Sequence, residues 1–329
     1  MPRRLSFVSR ALALRSVLLA VLGAMAALAA APRGSRIHLA PIFTPGETLR
    51  YRIQTHTATS QHIVSPIVNP QGGSEFSQTI SLLVRLDVLD AQPSAPVRFR
   101  ATYEKSHSES QTDAFDPATP SPDSQYDSLE GRSVNFTLDS RGQFADFKGL
   151  EDIFPERSVA DPLLSWLKVL SIGAAFPSAG VAIGEKWTSE QPLTGSPLTG
   201  LMWRAQSTYL RDEPCPAPAA SLAPAGPQTP TGNTCAVILT RLEILRHASS
   251  SDATPEDYRR NGLRTSGTWT GSGESLDSIS LATGLLVSST QSGTQNMDYV
   301  ITSATSGSQI HRSARIESKS EITLLPPSP

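Results

Sequence analysis

The sequence has few aromatic residues, few cysteines and no excess of positive charge. Phe, Trp and Tyr make up 6% of its 329 residues, only two residues are cysteine, and the formal net charge is −2 at neutral pH. A chain without a strong positive charge or a basic stripe has no electrostatic reason to bind nucleic acid. We therefore expect no nucleic-acid partner.

The sequence also lacks the short motifs of common enzyme and metal sites. It contains no G-x-S-x-G elbow, no H-E-x-x-H pair and no P-loop. The acidic stretch 110–131 lacks EF-hand spacing, so we interpret it as a solvated loop. His56 and His62 share one side of a predicted strand but lie about 20 Å apart, too far for one metal ion. We predict no catalytic residues, no metal and no cofactor, with a secreted hydrolase as a less favoured alternative.

The first 29 residues have the composition of an export signal. Arginines precede an apolar run from Val17 to Ala29, which ends in small residues suited to cleavage. The run is shorter than the roughly 20 residues of a membrane helix. We predict cleavage after Ala29 or Ala30, with an uncleaved signal anchor as the alternative. No cysteine lies near the cut, so we expect a periplasmic or extracellular protein that is not a lipoprotein and has no stable membrane span.

Cys215 and Cys235 enclose a segment rich in proline and alanine, 216–234. An isolated cysteine pair in an exported protein usually forms a disulfide. Strand-like sequence flanks the segment on both sides, so we predict a hairpin whose long tip is tied at its base. A metal or redox pair is the alternative, but the chain has no C-x-x-C spacing and no histidine nearby.

Alternating apolar residues predict a sheet rather than a helical bundle. Residues 76–89 place five apolar side chains on one side of a strand, namely Ile80, Leu82, Val84, Leu86 and Val88. Similar patterns begin near Thr48 and Val97, which indicates an antiparallel meander with one apolar face. Residues 265–276 contain Gly267, Gly271 and Gly273, a composition that lets a strand curve sharply.

One amphipathic helix is predicted between Asp161 and Gly173. Asp161 can cap its N-terminus, Pro162 suits its first turn, and Gly173 is placed to end it. Its apolar face carries Leu163, Leu164, Leu167 and Leu170, with Trp166 at the edge. We expect this helix to pack on the apolar face of the sheet.

Three phrases resemble a group of exported bacterial proteins known only as a domain-of-unknown-function family. They are FTPGETLRY from Phe43, FPSAGVAIGEKW from Phe176 and LATGLLVS from Leu281. Members pair a Gly-x-x-x-x-Tyr opening strand with a later Pro…Val…Gly-x-x-Trp phrase, and the resemblance covers most of residues 43–325. It implies a strongly curved antiparallel sheet, like the half-barrels that carry lipoproteins across the periplasm, and supplies no catalytic residues.

The sequence thus predicts a signal peptide at 1–29, a loose leader at 30–42, one mainly β domain at 43–325 and a tail at 326–329. We predict a strongly curved antiparallel sheet or open half-barrel with one packed helix. The favoured function is a non-enzymatic envelope protein that binds a lipid or peptide in a groove of the sheet. The predicted lining residues are Trp166, Leu167, Leu170, Leu82, Val84 and Leu86. The alternative is that these residues form a filled core and the protein is a structural or protein-interaction component of the envelope.

Overall fold

The computed structural model describes residues 36–65, 72–92, 95–113, 122–140, 142–149, 153, 166–167, 170, 176–193, 195–216, 234–246 and 254–326. One compact unit runs from His38 to the C-terminal end, and Arg36 and Ile37 belong to a separate unit. The predicted signal peptide and most of the proline-rich insertion lie outside the described residues. None of the described helices is long and apolar enough to cross a membrane.

Strands dominate the described part of the chain. They are β1 (Thr48–Val64), β2 (Gly72–Asp90), β3 (Val97–Thr112), β4 (Ser133–Leu138), β5 (Phe144–Lys148), β6 (Lys186–Pro192), β7 (Leu201–Pro214), β8 (Thr234–Arg246), β9 (Leu263–Ser280), β10 (Leu286–Ser303) and β11 (Gln309–Leu325). Two short helices are described as well, α1 (Pro122–Asp127) and α2 (Glu256–Arg260). The prediction of a mainly β chain is confirmed.

All eleven strands form one antiparallel sheet, in the order β5-β4-β3-β2-β1-β11-β10-β9-β8-β7-β6. The chain enters the middle of the sheet at β1 and steps outward to β5. It then crosses to the opposite edge at β6 and steps inward to β11, which pairs with β1. The first and last strands are therefore neighbours, while β5 and β6 form the two edges of a sheet that is not closed.

The sheet has two chemically different faces, because successive side chains of a strand point to opposite sides. Tyr51 lies opposite Val84 on β2 and Leu324 on β11, so these three side chains share what we call the apolar face. Arg50 lies opposite Arg85 on the other side, which we call the charged face. The strand register carries this division across the whole sheet.

A large core occupies one end of the apolar face. Phe99 stacks on Phe136 with ring centroids 5.4 Å apart, and Phe136 meets Phe144 edge-on at 5.7 Å. The predicted helix reaches this core, but the structure describes only three of its residues, Trp166, Leu167 and Leu170. All three are buried and lie in 3₁₀-helical conformation. The other residues of the predicted helix lie outside the described part of the chain.

The acidic stretch 110–131 differs from the solvated loop that its composition predicts. Strand β3 continues to Thr112, and α1 follows. The Asp123 carboxylate accepts hydrogen bonds from the Ser108 hydroxyl, the Ser110 hydroxyl and the Ser110 backbone NH at 2.7, 2.7 and 3.1 Å. The prediction was wrong for residues 122–131, because Leu129 buries its side chain and Asp123 satisfies polar groups of β3.

The predicted disulfide is confirmed. Cys215, just beyond the end of β7, bonds to Cys235, the second residue of β8. Pro214 lies opposite Thr234 in the strand register, so the bond closes the base of the hairpin. Closing a loop of 20 residues stabilises a fold by roughly 3 kcal/mol, chiefly by restricting the unfolded chain.

Candidate functional site

The six residues predicted to line a groove all lie in the interior of the protein. Their fractional exposures are 5% for Trp166, 2% for Leu167, 2% for Leu170, 5% for Leu82, 0% for Val84 and 0% for Leu86. The structure therefore brings them to the apolar face as expected, but covers them with other protein atoms. That a ligand reaches them stays a prediction.

Unpaired polar atoms interrupt this core. The Tyr103 hydroxyl, the Ser106 hydroxyl and the Trp166 indole NH are buried without a hydrogen-bond partner among the described residues. Burial raises the pKa of Tyr103 to about 12, and the neighbouring Trp166 indole offsets part of that rise. The indole approaches the phenol without reaching the geometry of a hydrogen bond. The core is thus well packed but not fully satisfied in its polar groups.

A second apolar cluster occupies the opposite end of the same face, and we call it the distal cluster. It lies about 30 Å from the first core along the strands, since Ala314 pairs with Gln61, ten residues beyond Tyr51 on β1. Its buried members are Leu198, Leu201, Ile244, Met297, Tyr299 and Ala314. Its partly exposed members are Leu193, Trp203, Trp269, Ile301 and Ile316.

Two arginines on the apolar face border the distal cluster. Arg246 donates from Nη1 to the Gly267 carbonyl at 2.6 Å, while its Nε and Nη2 are buried without an acceptor among the described residues. Arg312 donates from Nη2 to the Gln61 side-chain oxygen at 2.6 Å, and no described residue supplies an acceptor for its Nε. Neither guanidinium forms an ion pair with a carboxylate of the described residues. This end of the apolar face therefore combines partly exposed apolar side chains with two arginines that have no ion pair in the described part of the chain.

A wide depression lies on the charged face, and we call it the charged trough. It has a volume of about 890 Å³ and is bordered by side chains of seven adjacent strands, from β1 through β11 to β6. Seven flat strands would span about 29 Å, so the sheet must curve toward its charged face at this level. Arg204 pairs with Glu190 at 2.9 Å and with Glu243 at 3.3 Å, and Arg241 pairs with Glu274 at 3.4 Å. Ion pairs therefore contribute a large part of the polar lining of the trough.

Glycines permit close packing in the middle of the sheet. A Cβ on Gly273 would lie 2.8 Å from the Ser292 carbonyl oxygen, and one on Gly271 would lie 2.8 Å from the Ile244 Cδ1 atom. A Cβ on Gly293 would lie 3.2 Å from the Ser272 carbonyl oxygen. Larger residues at Gly273 and Gly293 would push β9 and β10 apart, whereas at Gly271 the nearest atom belongs to a side chain.

The distal arginines and the charged trough were not predicted from the sequence. One signal was present, because Arg246 continues the alternation of Leu242 and Ile244 and so shares their face. An arginine at the end of an apolar alternation suggests a charge placed against apolar surface. The trough has no comparable signal, since it depends on how seven strands align.

No protein-family model and no curated protein matches the chain. Among solved structures, the chain is similar to lipovitellin, in a structure that concerns lipid–protein interactions. The two are 12% identical over 88% of this chain and 26% of that chain, with a TM-score of 0.45, so this chain spans about a quarter of the lipovitellin chain. It is also similar to an outer-membrane channel from Pseudomonas putida F1, with 8% identity over 87% of this chain and 97% of that chain and a TM-score of 0.18. At these TM-scores neither likeness bears on function.

Proposed function

We propose that the protein is an exported, non-enzymatic binding protein of the bacterial envelope that holds an apolar, lipid-like ligand on the distal cluster. The observation that carries this proposal is the set of large apolar side chains, including Trp203 and Trp269, that remain partly exposed around a buried centre. Contiguous apolar surface of this kind commonly marks a binding site, because covering it removes apolar area from water.

The distal cluster differs in exposure from the site that the sequence predicts. Val84 and Leu86 have no exposed surface, so a ligand there would have to displace core packing. Trp203, Trp269 and Ile316 retain exposed surface, so a ligand can cover them without opening the core. The same class of ligand therefore fits the distal cluster better than the core beneath Trp166.

The chemistry of the chain supports an exported protein. The Cys215–Cys235 disulfide suits an oxidising compartment, and the first 29 residues have the composition of an export signal. Among the described residues, no group of His, Cys, Asp and Glu is placed to hold a metal ion. These features support a binding role outside the cytoplasm.

The proposal is tested by purifying the mature chain from a bacterial periplasm without detergent. We expect the native mass to exceed the chain mass by a stoichiometric ligand, and the organic extract to contain a lipid-like molecule. Ile316→Ser should lower the occupancy, whereas Leu276→Ser should not, because Leu276 is 41% exposed on the charged face. A clean chain mass, together with no uptake of added acyl lipids, would overturn the proposal.

A second candidate function is protein interaction through the charged trough. The trough alternates acidic and basic side chains around a volume of about 890 Å³, which suits a polar segment of another protein. Lys319 borders the trough and forms no ion pair within the described part of the chain. If Lys319→Glu abolishes crosslinking to an envelope protein while the chain carries no lipid, this candidate replaces the first.

A further inference from the structure

We propose that the ligand of the distal cluster is a long-chain carboxylate, and that Arg246 binds its carboxylate group. This inference rests on the proposed function, because it names the class of ligand that the same cluster holds. It starts from the guanidinium of Arg246, in which Nη1 donates one hydrogen bond and the other two nitrogens find no acceptor among the described residues.

The edge of Arg246 that carries Nε and Nη2 has the geometry of a two-point anion site. Nη1 donates to the Gly267 carbonyl at 2.6 Å, whereas Nε and Nη2 have no acceptor in the part of the chain that the structure describes. Nε and Nη2 lie on the same edge of the planar guanidinium and present two parallel N–H groups. This fork matches the two oxygens of a carboxylate. Buried donors without acceptors are unfavourable, so a carboxylate that meets both of them would gain charge-assisted hydrogen bonds.

The surroundings favour an anion over a neutral group. Gly267, Tyr299 and Arg312 lie side by side on β9, β10 and β11, so the backbones of Gly267 and Arg312 are about 10 Å apart. Arg246 contacts Gly267, so both cations lie at one end of the apolar face. On β7 to β11, this end of the face carries aromatic, aliphatic, small and amide residues, and none of its residues is acidic. The positive charge is therefore not neutralised by these strands.

The apolar side chains beside Arg246 suit an acyl chain. Ile244 precedes it on the same face, and Trp203 lies opposite Ile244 in the register. The connection from β6 to β7 packs on the cluster through Leu193 and Leu198 and continues into Leu201, the register partner of Arg246. Because Nε and Nη2 are buried, ligand entry requires the arginine side chain or the atoms that cover it to move.

The test compares oleate with oleyl alcohol, which has the same chain but no negative charge. Binding to the mature protein is followed by tryptophan fluorescence, since Trp203 and Trp269 lie in the distal cluster. We expect Arg246→Gln to weaken oleate binding about tenfold to a hundredfold and to leave oleyl alcohol binding unchanged. Arg246→Lys should weaken oleate binding similarly, because lysine keeps the charge but loses the fork. Arg315→Gln is the matched control, since Arg315 pairs with Glu317 on the charged face.

The outcomes separate this inference from the proposed function. If the unmodified protein binds both compounds equally, or if Arg246→Gln keeps full oleate affinity, the carboxylate assignment is wrong while the apolar site stands. If neither compound binds, the proposed function falls together with the inference. Binding of phosphatidylglycerol that depends on Arg246, without binding of oleate, would show a phosphate ligand and overturn the carboxylate. Should Arg246→Gln fail to fold, Arg246→Lys and the comparison of oleate with oleyl alcohol decide the question.

Discussion

The hydroxyl of Tyr51 donates a hydrogen bond to the carbonyl oxygen of Leu286 at 3.2 Å, joining the first strand of the sheet to the start of the tenth. Both residues are buried, and burial raises the pKa of Tyr51 well above its usual range. The bond crosses β11, which lies between β1 and β10 in the sheet. It therefore ties together two strands that do not pair with each other.

Tyr51→Phe should destabilise the protein. The substitution removes the hydroxyl and leaves the Leu286 carbonyl without this donor in a buried position, a loss worth about 1–2 kcal/mol. The free energy of unfolding, measured by urea denaturation, is expected to fall by that amount with an unchanged dependence on urea concentration. Unchanged stability would mean that the bond does not contribute in solution.

Tyr103→Phe is the matched comparison. Tyr103 is as deeply buried as Tyr51 and lies on the same face, but its hydroxyl has no hydrogen-bond partner among the described residues. Removing an unpaired buried hydroxyl relieves a desolvation penalty, so we expect the free energy of unfolding to stay the same or to rise by about 1 kcal/mol. A decrease as large as that of Tyr51→Phe would show that the Tyr103 hydroxyl is satisfied, for instance by a bound water molecule.

Asp277 should make stability depend on pH. Its carboxylate is buried on the apolar face and accepts hydrogen bonds from the hydroxyls of Ser289 and Ser275 at 2.6 and 3.0 Å. Burial raises the pKa of Asp277 above its ordinary value, and the two hydrogen bonds oppose part of that rise. The folded state thus holds the proton more strongly than the unfolded state does. The contribution of Asp277 to stability is full below its unfolded pKa and is lost as pH rises through its folded pKa.

Asp277→Asn isolates this effect. The free energy of unfolding of the variant, minus that of the unmodified protein, should increase from pH 4 to pH 7, because only the unmodified protein has a buried charge to form. Urea denaturation at several pH values measures the difference, and the contributions of other titrating groups cancel in it. A difference that grows as pH falls would mean that the native state stabilises the carboxylate rather than the acid.

The sequence predicts the first half of the sheet better than the second, and the reason is the chemistry of the strands. In β2, Val84 and Leu86 alternate with Arg85 and Asp87, so the face of the apolar residues follows from the pattern alone. In β10, the residues around Gly293 are mostly small and polar, so no apolar alternation identifies the buried side. A shift of one residue in the register would move every side chain to the other face. The pairing of β10 with β9 shifts its register between Leu286 and Ser288, and no pattern in the sequence predicts this shift.

The same limit applies to the candidate site. The face of Arg246 follows from its parity with Ile244, but its contact with Gly267 depends on how β8 and β9 align. The charged trough likewise requires Arg241 on β8 to meet Glu274 on β9. Such contacts join residues far apart in sequence, and local patterns contain no information about their alignment.

The glycines of β9 allow a prediction about how tightly the middle of the sheet is packed. A Cβ at position 273 would lie 2.8 Å from the Ser292 carbonyl oxygen, which is held in place by the backbone of β10. A Cβ at position 271 would lie 2.8 Å from the Ile244 Cδ1 atom, the end of a side chain that can rotate away, and its nearest backbone atom would be the Thr294 carbonyl oxygen at 3.2 Å. The first contact must displace a strand, whereas the second can be relieved locally.

Gly273→Ala should therefore be more destabilising than Gly271→Ala. We expect the free energy of unfolding to fall by about 2–3 kcal/mol for Gly273→Ala and by about 1 kcal/mol or less for Gly271→Ala. Both substitutions reduce the flexibility of the unfolded chain to the same extent, so the comparison cancels that effect. Equal losses of stability would mean that separating β9 from β10 at Gly273 costs no more than moving the Ile244 side chain. Close packing at Gly273 would then not hold the centre of the sheet together.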